Sequence, residues 1–413
     1  MKILHTADWH LGKKLENCSR LDEQRLVLDE ICNIAHTQNV DAVIVAGDLF
    51  DNFNPSAEAQ QLLYSTLFSL SDGGRRLVVA IAGNHDSPER IEVPDAFARI
   101  CGILFVGYPN ADIKPFETEH GVKMTKSDKG FAEFQLPRCE FPLRLLLTPY
   151  TNEIRLKIYL KDEDSEESLR QVLAKHWQNL ANAYCDDLGV NMLVTHLYMM
   201  QEHDPSPPEE PDDERPILHV GGAQAVFATN VPTQIQYVAL GHLHRFQTIA
   251  RQPCPMVYSS SPLAYSFAEA NQVKNVVIIE ANPSQPVSYQ AVPLSAGKPL
   301  LRGRFDNVTE ALTWLADNQN AWVQLTMVTE NYLEAADKKR LIAAHEGLIG
   351  IIPEIKNSKK TITFSQSADL QAQTMEEIFI DYFKTRKESA GQAPSEGLLA
   401  LFKEIVATET DNI

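Results

Sequence analysis

Five apolar runs in this chain stop abruptly at side chains that bind metals or move protons. Lys2–Thr6 of MKILHTADWH leads to Asp8 and His10, and Ala42–Ala46 of DAVIVAGDLFD leads to Gly47, Asp48 and Asp51. Leu77–Ala82 of LVVAIAGNHD gives way to Gly83, Asn84, His85 and Asp86; NMLVTH ends at His196, and YVALGHLH at His242 and His244. The runs have the composition of buried strands. A polar cluster at the mouth of a buried strand is costly unless each group finds a partner. Helical patterns separate the first three runs. RLDEQRLVLDEICNIAHTQN places Val27, Ile31, Ile34 and Ala35 at helical spacing, and SAEAQQLLYSTLFSL places Leu63, Leu67 and Leu70 on one face behind Ser56 as N-cap. Alternating strand and helix predicts an α/β fold with largely parallel strands. In such folds the loops at the carboxyl ends of the strands share one crevice.

That crevice collects Asp8, His10, Asp48, Asn84, His85, His196, His242 and His244. Imidazole and carboxylate together suit manganese, iron or zinc, and this set exceeds the ordinary coordination of one ion. It suits two ions about 3.5–4 Å apart that share a bridging carboxylate, an arrangement used to hydrolyse phosphate esters. In Asp8-x-His10 and His242-x-His244, alternate residues point the same way. Gly47, Gly83 and Gly241 each precede a member of the set and are expected to let the backbone turn close to the ions. Asn84 is expected to offer its amide oxygen to a metal, and His85 to face the substrate. Taken singly, a histidine at a strand end is more often a hydrogen-bonded core residue. The ordered series D-x-H, G-D, G-N-H-D, H, G-H-x-H, each after a strand, is what carries the reading.

The chain has 413 residues, too many for one ordinary domain, so two or three are expected. The net charge of −18 argues against a nucleic-acid binder when taken alone. However, KDEDSEE (161–167) and QEHDPSPPEEPDDER (201–215) account for −10 of it and read as solvated loops, so the total says little about any one surface. The six cysteines (18, 32, 101, 139, 185, 254) form no C-x-x-C pair and read as thiols of a reducing compartment. No apolar run approaches the roughly 18 residues of a membrane span. MKILHTADWH lacks the apolar core and cleavage site of a secretion signal, so a cytoplasmic location is expected.

The ordered set resembles the calcineurin-like metallophosphoesterase superfamily. Within it the chain is similar to the bacterial SbcD family, the nuclease subunits of SbcCD complexes. HTADWHLGK, VIVAGDLFD, AGNHDSPER, HVGGAQAV, YVALGHLHR and YSSSPLAYSFAE stand in that family's order and spacing. The resemblance implies a two-sheet sandwich flanked by helices, with a small α+β capping domain and C-terminal helices. It implies one metal held by Asp8, His10 and His244, another by Asn84, His196 and His242, and Asp48 as the bridge, with Mn2+ as the preferred ion. It gives His85 the task of stabilising the transition state and protonating the leaving 3′ oxygen, with the side chain of Asp51 fixing the His85 tautomer. The implied activity is 3′→5′ double-strand exonuclease and single-strand endonuclease, cleaving DNA ends and hairpins. The implied partner is an SbcC-type coiled-coil ATPase, with two nuclease subunits in a heterotetramer, in DNA repair, recombination and replication.

The DNA contacts are read from basic side chains beside the clusters. LGKKLENCSRLDEQR carries Lys13 and Arg20, and Arg90 follows the third cluster. They suit a phosphodiester backbone, or equally a solvated helix start. The expected domains are 1–285 for the nuclease, 298–366 for the cap and 372–413 for a helical partner-binding segment. The last holds two amphipathic stretches. One, at 375–387, presents Ile378, Phe379, Tyr382 and Phe383; the other, at 396–407, presents Leu398, Leu401, Phe402 and Ile405. Their faces dock either on the chain's own core or, as the family implies, on the ATPase. Two other functions compete: a two-metal phosphatase or cyclic-nucleotide phosphodiesterase, and a scaffold that organises the ATPase without catalysis.

Overall fold

The computed structural model describes residues 1–156, 165–202, 208, 225–329, 333–355 and 398. Its larger unit, Met1–Glu354, is built on two mixed sheets. The first runs in the order Ser288–Pro293, Asn275–Glu280, Lys2–Thr6, Ala42–Ala46, Leu77–Ile81 and Ile103–Val106. The second runs Gln247–Ala250, Met256–Tyr258, Tyr237–Leu240, Val190–Thr195, Leu143–Thr148, Phe131–Gln135 and Lys123–Asp128. The last four strands of the first sheet are parallel, as are the four from Met256–Tyr258 to Leu143–Thr148 in the second. Antiparallel strands complete both edges of the second sheet and one edge of the first.

Side-chain alternation along the strands builds the layers. Ile3, Ile44 and Val79 face Leu145, Met192 and Ala239 across the space between the sheets. Leu4, Val43 and Val78 turn outward onto Leu28, Ile31, Leu63 and Leu67 of the helices Leu21–Thr37 and Ala57–Leu70. Leu146, Leu193 and Val238 meet Leu173 and Trp177 of the helix Ser165–Tyr184 on the opposite side. With both faces covered, these strands read as unbroken apolar runs rather than alternating ones. Ser56 caps its helix as expected, its hydroxyl accepting from the Ala59 N–H at 3.2 Å.

Strands Leu300–Phe305, Trp322–Thr329 and Leu348–Ile355 form a separate sheet. The helices Val308–Asp317 and Ala335–Ala344 alternate with them in sequence. Ala311, Leu315, Val323, Leu325 and Leu341 give this part its own core. It is tied to the first helix through Glu23, which accepts from Trp322 Nε1 and from the Lys298 N–H, each at 2.7 Å. The second unit, Ile355–Ile413, lies outside the described residues except for Ile355 and Leu398. The expected tail helices therefore fall there, and most of HVGGAQAV also lies outside the described residues. No helix among the described residues is long and apolar enough to cross a membrane.

Candidate metal centre

The five loops meet at one edge of the sandwich because their strands are neighbours. Lys2–Thr6, Ala42–Ala46 and Leu77–Ile81 lie side by side in one sheet, and Val190–Thr195 pairs with Tyr237–Leu240 in the other. Hydrogen bonds stitch the loops together across the sandwich. The His196 Nδ1 lies 2.8 Å from the Ala46 carbonyl, and the His242 N–H donates to Asp8 Oδ1 at 2.8 Å. Asp8, His10, Asp48 and His242 all have positive φ, at 56°, 43°, 49° and 102°. Such conformations cost about 1–3 kcal/mol each and persist only where the surroundings enforce them, commonly at functional sites.

The convergent side chains aim electron-pair donors at one another. His10 Nε2 lies 3.0 Å from His244 Nε2. His196 Nε2 lies 2.9 Å from Asn84 Oδ1 and 3.2 Å from Asp48 Oδ2, and His242 Nδ1 lies 3.2 Å from Asn84 Oδ1. Asp8 Oδ2 is buried without a hydrogen-bond partner among the described residues, and Asp48 Oδ2, also buried, faces the imidazole nitrogens of His196 and His10 at 3.2 and 3.4 Å. A buried carboxylate oxygen without a partner is expensive unless a cation completes it. One ligand atom each from Asp8, His10 and His244, and one each from Asp8, Asp48 and His196, fall within 4.8 Å of one another. The donor set therefore fits divalent metal ions.

Electrostatics agree with the geometry. Burial pushes both carboxylates up. At Asp8 it prevails over the His196 and His244 imidazoles and the pKa is raised. At Asp48 the imidazoles of His196, His10 and His85 prevail, and the pKa falls well below the usual carboxylate range. Burial lowers the His196 pKa, but the carboxylates of Asp48 and Asp8 outweigh it and raise it to about 8.

The glycines do less turning than their places before the site residues suggest. A Cβ on Gly47 would sit 2.1 Å from His196 Nδ1, one on Gly83 2.0 Å from Asp48 Oδ1, and one on Gly241 1.9 Å from the Ala46 carbonyl. Only Gly47 of the three has positive φ, at 95°. Their missing side chains chiefly make room for His196 and Asp48.

The His85 N–H donates to Asp48 Oδ1 at 2.9 Å, and its Nδ1 lies 3.0 Å from the main-chain carbonyl of Asp51. The carbonyl is purely an acceptor, so it holds Nδ1 in the protonated form. The Asp51 main chain thus makes the contact at Nδ1, while an Asp51 carboxylate oxygen lies within 4.8 Å of ring nitrogens of both His85 and His10. The Asp51 carboxylate lies 3.9 Å from His10 Nδ1 and 3.8 Å from Lys13 Nζ. Arg20 departs further from expectation. It is 1% exposed, paired through Nε and Nη2 with Glu23 at 2.7 and 3.0 Å, and donates from Nη1 to the Ala264 carbonyl at 3.0 Å. Its guanidinium is thereby committed to the fold and is not offered to DNA. Lys13 stays beside the centre, 5.8 Å from the Tyr265 ring centroid, and Arg90 is exposed on the short helix Pro88–Glu92.

Four further residues, to which the sequence assigned no role, support the centre. Asp86 accepts from the N–H groups of Leu49, Phe50 and Gly83 at 3.0, 2.9 and 2.8 Å. Burial and then Asp48 raise its pKa to about 6. Arg155 donates to the carbonyls of Gly83 and Asp86 at 2.7 and 2.8 Å and so clasps the loop carrying Asn84 and His85. Glu269 and Lys274 pair beside His244. Burial pushes Glu269 up, but His244 and Lys274 outweigh it and bring it down to about 2. Asp86 stands in GNHD and Glu269 in YSSSPLAYSFAE, so their positions were visible although their contacts were not. Arg155 and Lys274 carried no local signal.

Two helix-flanked sheets that bring carboxylates, an amide and five imidazoles to one edge have the architecture of a metal-dependent phosphoesterase. The sequence model of the calcineurin-like phosphoesterase family matches residues 1–246. Individual relatives are more specific. The chain is 37% identical to the D subunit of the nuclease SbcCD of Bacillus subtilis (strain 168), over 98% of each chain. It is 32% identical to the protein of the same name from Rhodobacter capsulatus, over 73% of this chain and 71% of that one. With the Staphylococcus epidermidis protein of that name it shares 28% identity, over 75% and 74%. The chain belongs to this family, the D subunits of SbcCD nucleases within the calcineurin-like phosphoesterases.

Proposed function

We propose that this chain is the nuclease subunit of an SbcCD-type complex, a two-metal phosphodiesterase that cuts DNA. The observation that carries the reading is the pair of buried carboxylates among the convergent imidazoles: Asp8 Oδ2, without a hydrogen-bond partner among the described residues, and Asp48 Oδ2, facing His196 and His10. Asp8, His10 and His244 would hold one ion, Asn84, His196 and His242 the other, and Asp48 would be shared. Bound there, two divalent cations supply a nucleophile at neutral pH and offset the charge of a phosphodiester. The mixed nitrogen and oxygen donor set suits manganese, the ion proposed here. His85 is anchored at its N–H and Nδ1, which leaves Nε2 as the ring nitrogen proposed to meet the substrate. Its proposed roles are charge stabilisation and proton delivery to the leaving 3′ oxygen. Asp51 supports that ring through its carbonyl, and Lys13 and Arg90 are the proposed backbone contacts.

The proposed substrates are DNA ends and hairpins, cut 3′→5′ on duplex and endonucleolytically on single strands, in the cytoplasm. The proposed partner is an SbcC-type ATPase bound by 372–413, with 298–366 capping a nuclease domain of 1–285. A nuclease dimer within the assembly is part of the proposal; Val93, Phe97 and Ile100, on or beside three successive short helical segments, are 79%, 80% and 70% exposed. The test is manganese-dependent cleavage by the chain co-purified with its ATPase. Labelled duplex and hairpin DNA are compared with mononucleotides and cyclic nucleotides. Turnover of the small esters with intact DNA would replace this reading by a phosphatase or cyclic-nucleotide phosphodiesterase. Bound metal without any turnover would leave a scaffold.

A further inference from the structure

Beyond residue 246, where the family match ends, a buried ion pair closes on one of the convergent histidines. Glu269 ends the turn Phe267–Glu269, and Lys274 follows five residues later; both are buried. The Lys274 ammonium donates to Glu269 Oε2, to Ser261 Oγ at 3.0 Å and to the His244 carbonyl at 2.8 Å. Glu269 Oε1 accepts from the N–H groups of Tyr265 and Ser266 at 3.0 and 3.2 Å and lies 3.4 Å from His244 Nδ1. The carboxylate therefore holds the ring of His244, and the ammonium holds its main chain.

His196 is supported differently, its Nδ1 meeting the Ala46 carbonyl. A main-chain carbonyl cannot be lost by mutation or moved without moving a strand. A carboxylate held by a lysine can be removed singly. Because an ionised carboxylate only accepts, Nδ1 of His244 must carry the proton, which leaves Nε2 with its lone pair facing His10 Nε2. Outer carboxylates of this kind orient histidine ligands and raise their basicity.

We propose that Glu269 and Lys274 are positioning residues that lock His244 in the Nδ1–H tautomer and make the two cation positions unequal. The position at His10 and His244 depends on the pair, and the one at His196 and His242 does not. This rests on the two-metal reading above.

The test uses the full-length chain with histidine labelled by 15N in the imidazole, together with the variants Glu269→Gln and Glu269→Gln/Lys274→Met. The double variant removes the ammonium that the single change leaves without a counterion. In the metal-free parent, His244 should show the Nδ1–H tautomer; finding it as Nε2–H overturns the proposal before any variant is made. In Mn2+ titrations followed by electron paramagnetic resonance, the parent should bind two ions. The variants should keep one site unchanged and weaken the other about 10–100-fold. A parent that binds fewer than two ions defeats the two-metal reading itself. Equal weakening of both sites, or of neither, in whichever variant remains folded by circular dichroism, overturns the inference and leaves the pair a purely structural one.

Discussion

Gly83→Ala adds one methyl group at a residue whose own side chain binds nothing. The new Cβ would lie 2.0 Å from Asp48 Oδ1, 2.3 Å from the Asp48 backbone nitrogen and 2.6 Å from its Cγ. Ordinary contact begins near 3.4 Å, so the carboxylate must retreat by about 1.4 Å. Rotating the Asp48 side chain does not relieve the clash, because the backbone nitrogen is also in the way. The loop itself must shift, at a cost of about 1–3 kcal/mol typical of overpacking. Gly83 has no positive φ, so the steric term stands alone. A misplacement of about 1 Å can reduce a positioned reaction about 100-fold, and Asp48 is the carboxylate proposed to serve both ions. We expect at least about a 100-fold loss of manganese-dependent cleavage, with weakened metal binding measured by equilibrium dialysis. Gly121→Ala is the control. Gly121 has φ +91°, but its Cβ would meet nothing closer than Pro137 Cγ at 3.6 Å. It should lose a similar stability of about 1–2 kcal/mol by urea denaturation, from backbone strain, and keep its activity. A Gly83→Ala protein that retains both metals and normal cleavage would refute the argument that the glycine is there to admit Asp48.

His85→Ala should retain bound metal by elemental analysis and lose about 100-fold or more in cleavage rate; loss of metal instead would make His85 a ligand. His5 is buried between the sheets, with Nδ1 3.2 Å from the Tyr237 hydroxyl and Nε2 3.2 Å from the Leu240 carbonyl. Burial drives its pKa from 6.5 down to about 3, against a weaker upward pull from that carbonyl. Between those values the unfolded chain binds more protons. The stabilisation is complete above pH 6.5 and is lost as pH falls towards 3, by up to about 5 kcal/mol. His5→Gln should flatten the pH dependence of the urea midpoint in that window, and an unchanged slope would count against it. Truncation after about residue 370 should leave a folded, manganese-dependent nuclease that no longer co-purifies with the ATPase, since the two amphipathic stretches are the proposed docking faces. Unchanged co-purification would place the partner site elsewhere.

The convergence of eight polar residues was legible because each cluster follows its strand directly, and strand identity and strand-end chemistry are both local. Parallel neighbours then bring the five strand ends to one edge whatever the loops do. The layers were legible for a similar reason: a fully apolar run and an amphipathic helix each state how many of their faces are covered.

Contacts between distant parts of the chain were not legible in this way. Arg20 lies in a basic loop beside the first cluster, and its neighbours suggested a hand on DNA. Its partner Glu23 is three residues away, but Trp322, which shares that carboxylate, comes from another sheet. Only packing shows that the guanidinium is enclosed. Asp51 carries both a carboxylate and a carbonyl, and only the loop's path presents the carbonyl to His85. The amino-acid order determined which chemical groups stand at the strand ends, because composition and period are properties of the chain itself. Which atoms support them was decided by the tertiary structure: Ala46 behind His196, and Glu269 and Lys274 behind His244. A hydrogen bond depends on ångström-scale approach and direction, which only the packed sandwich defines.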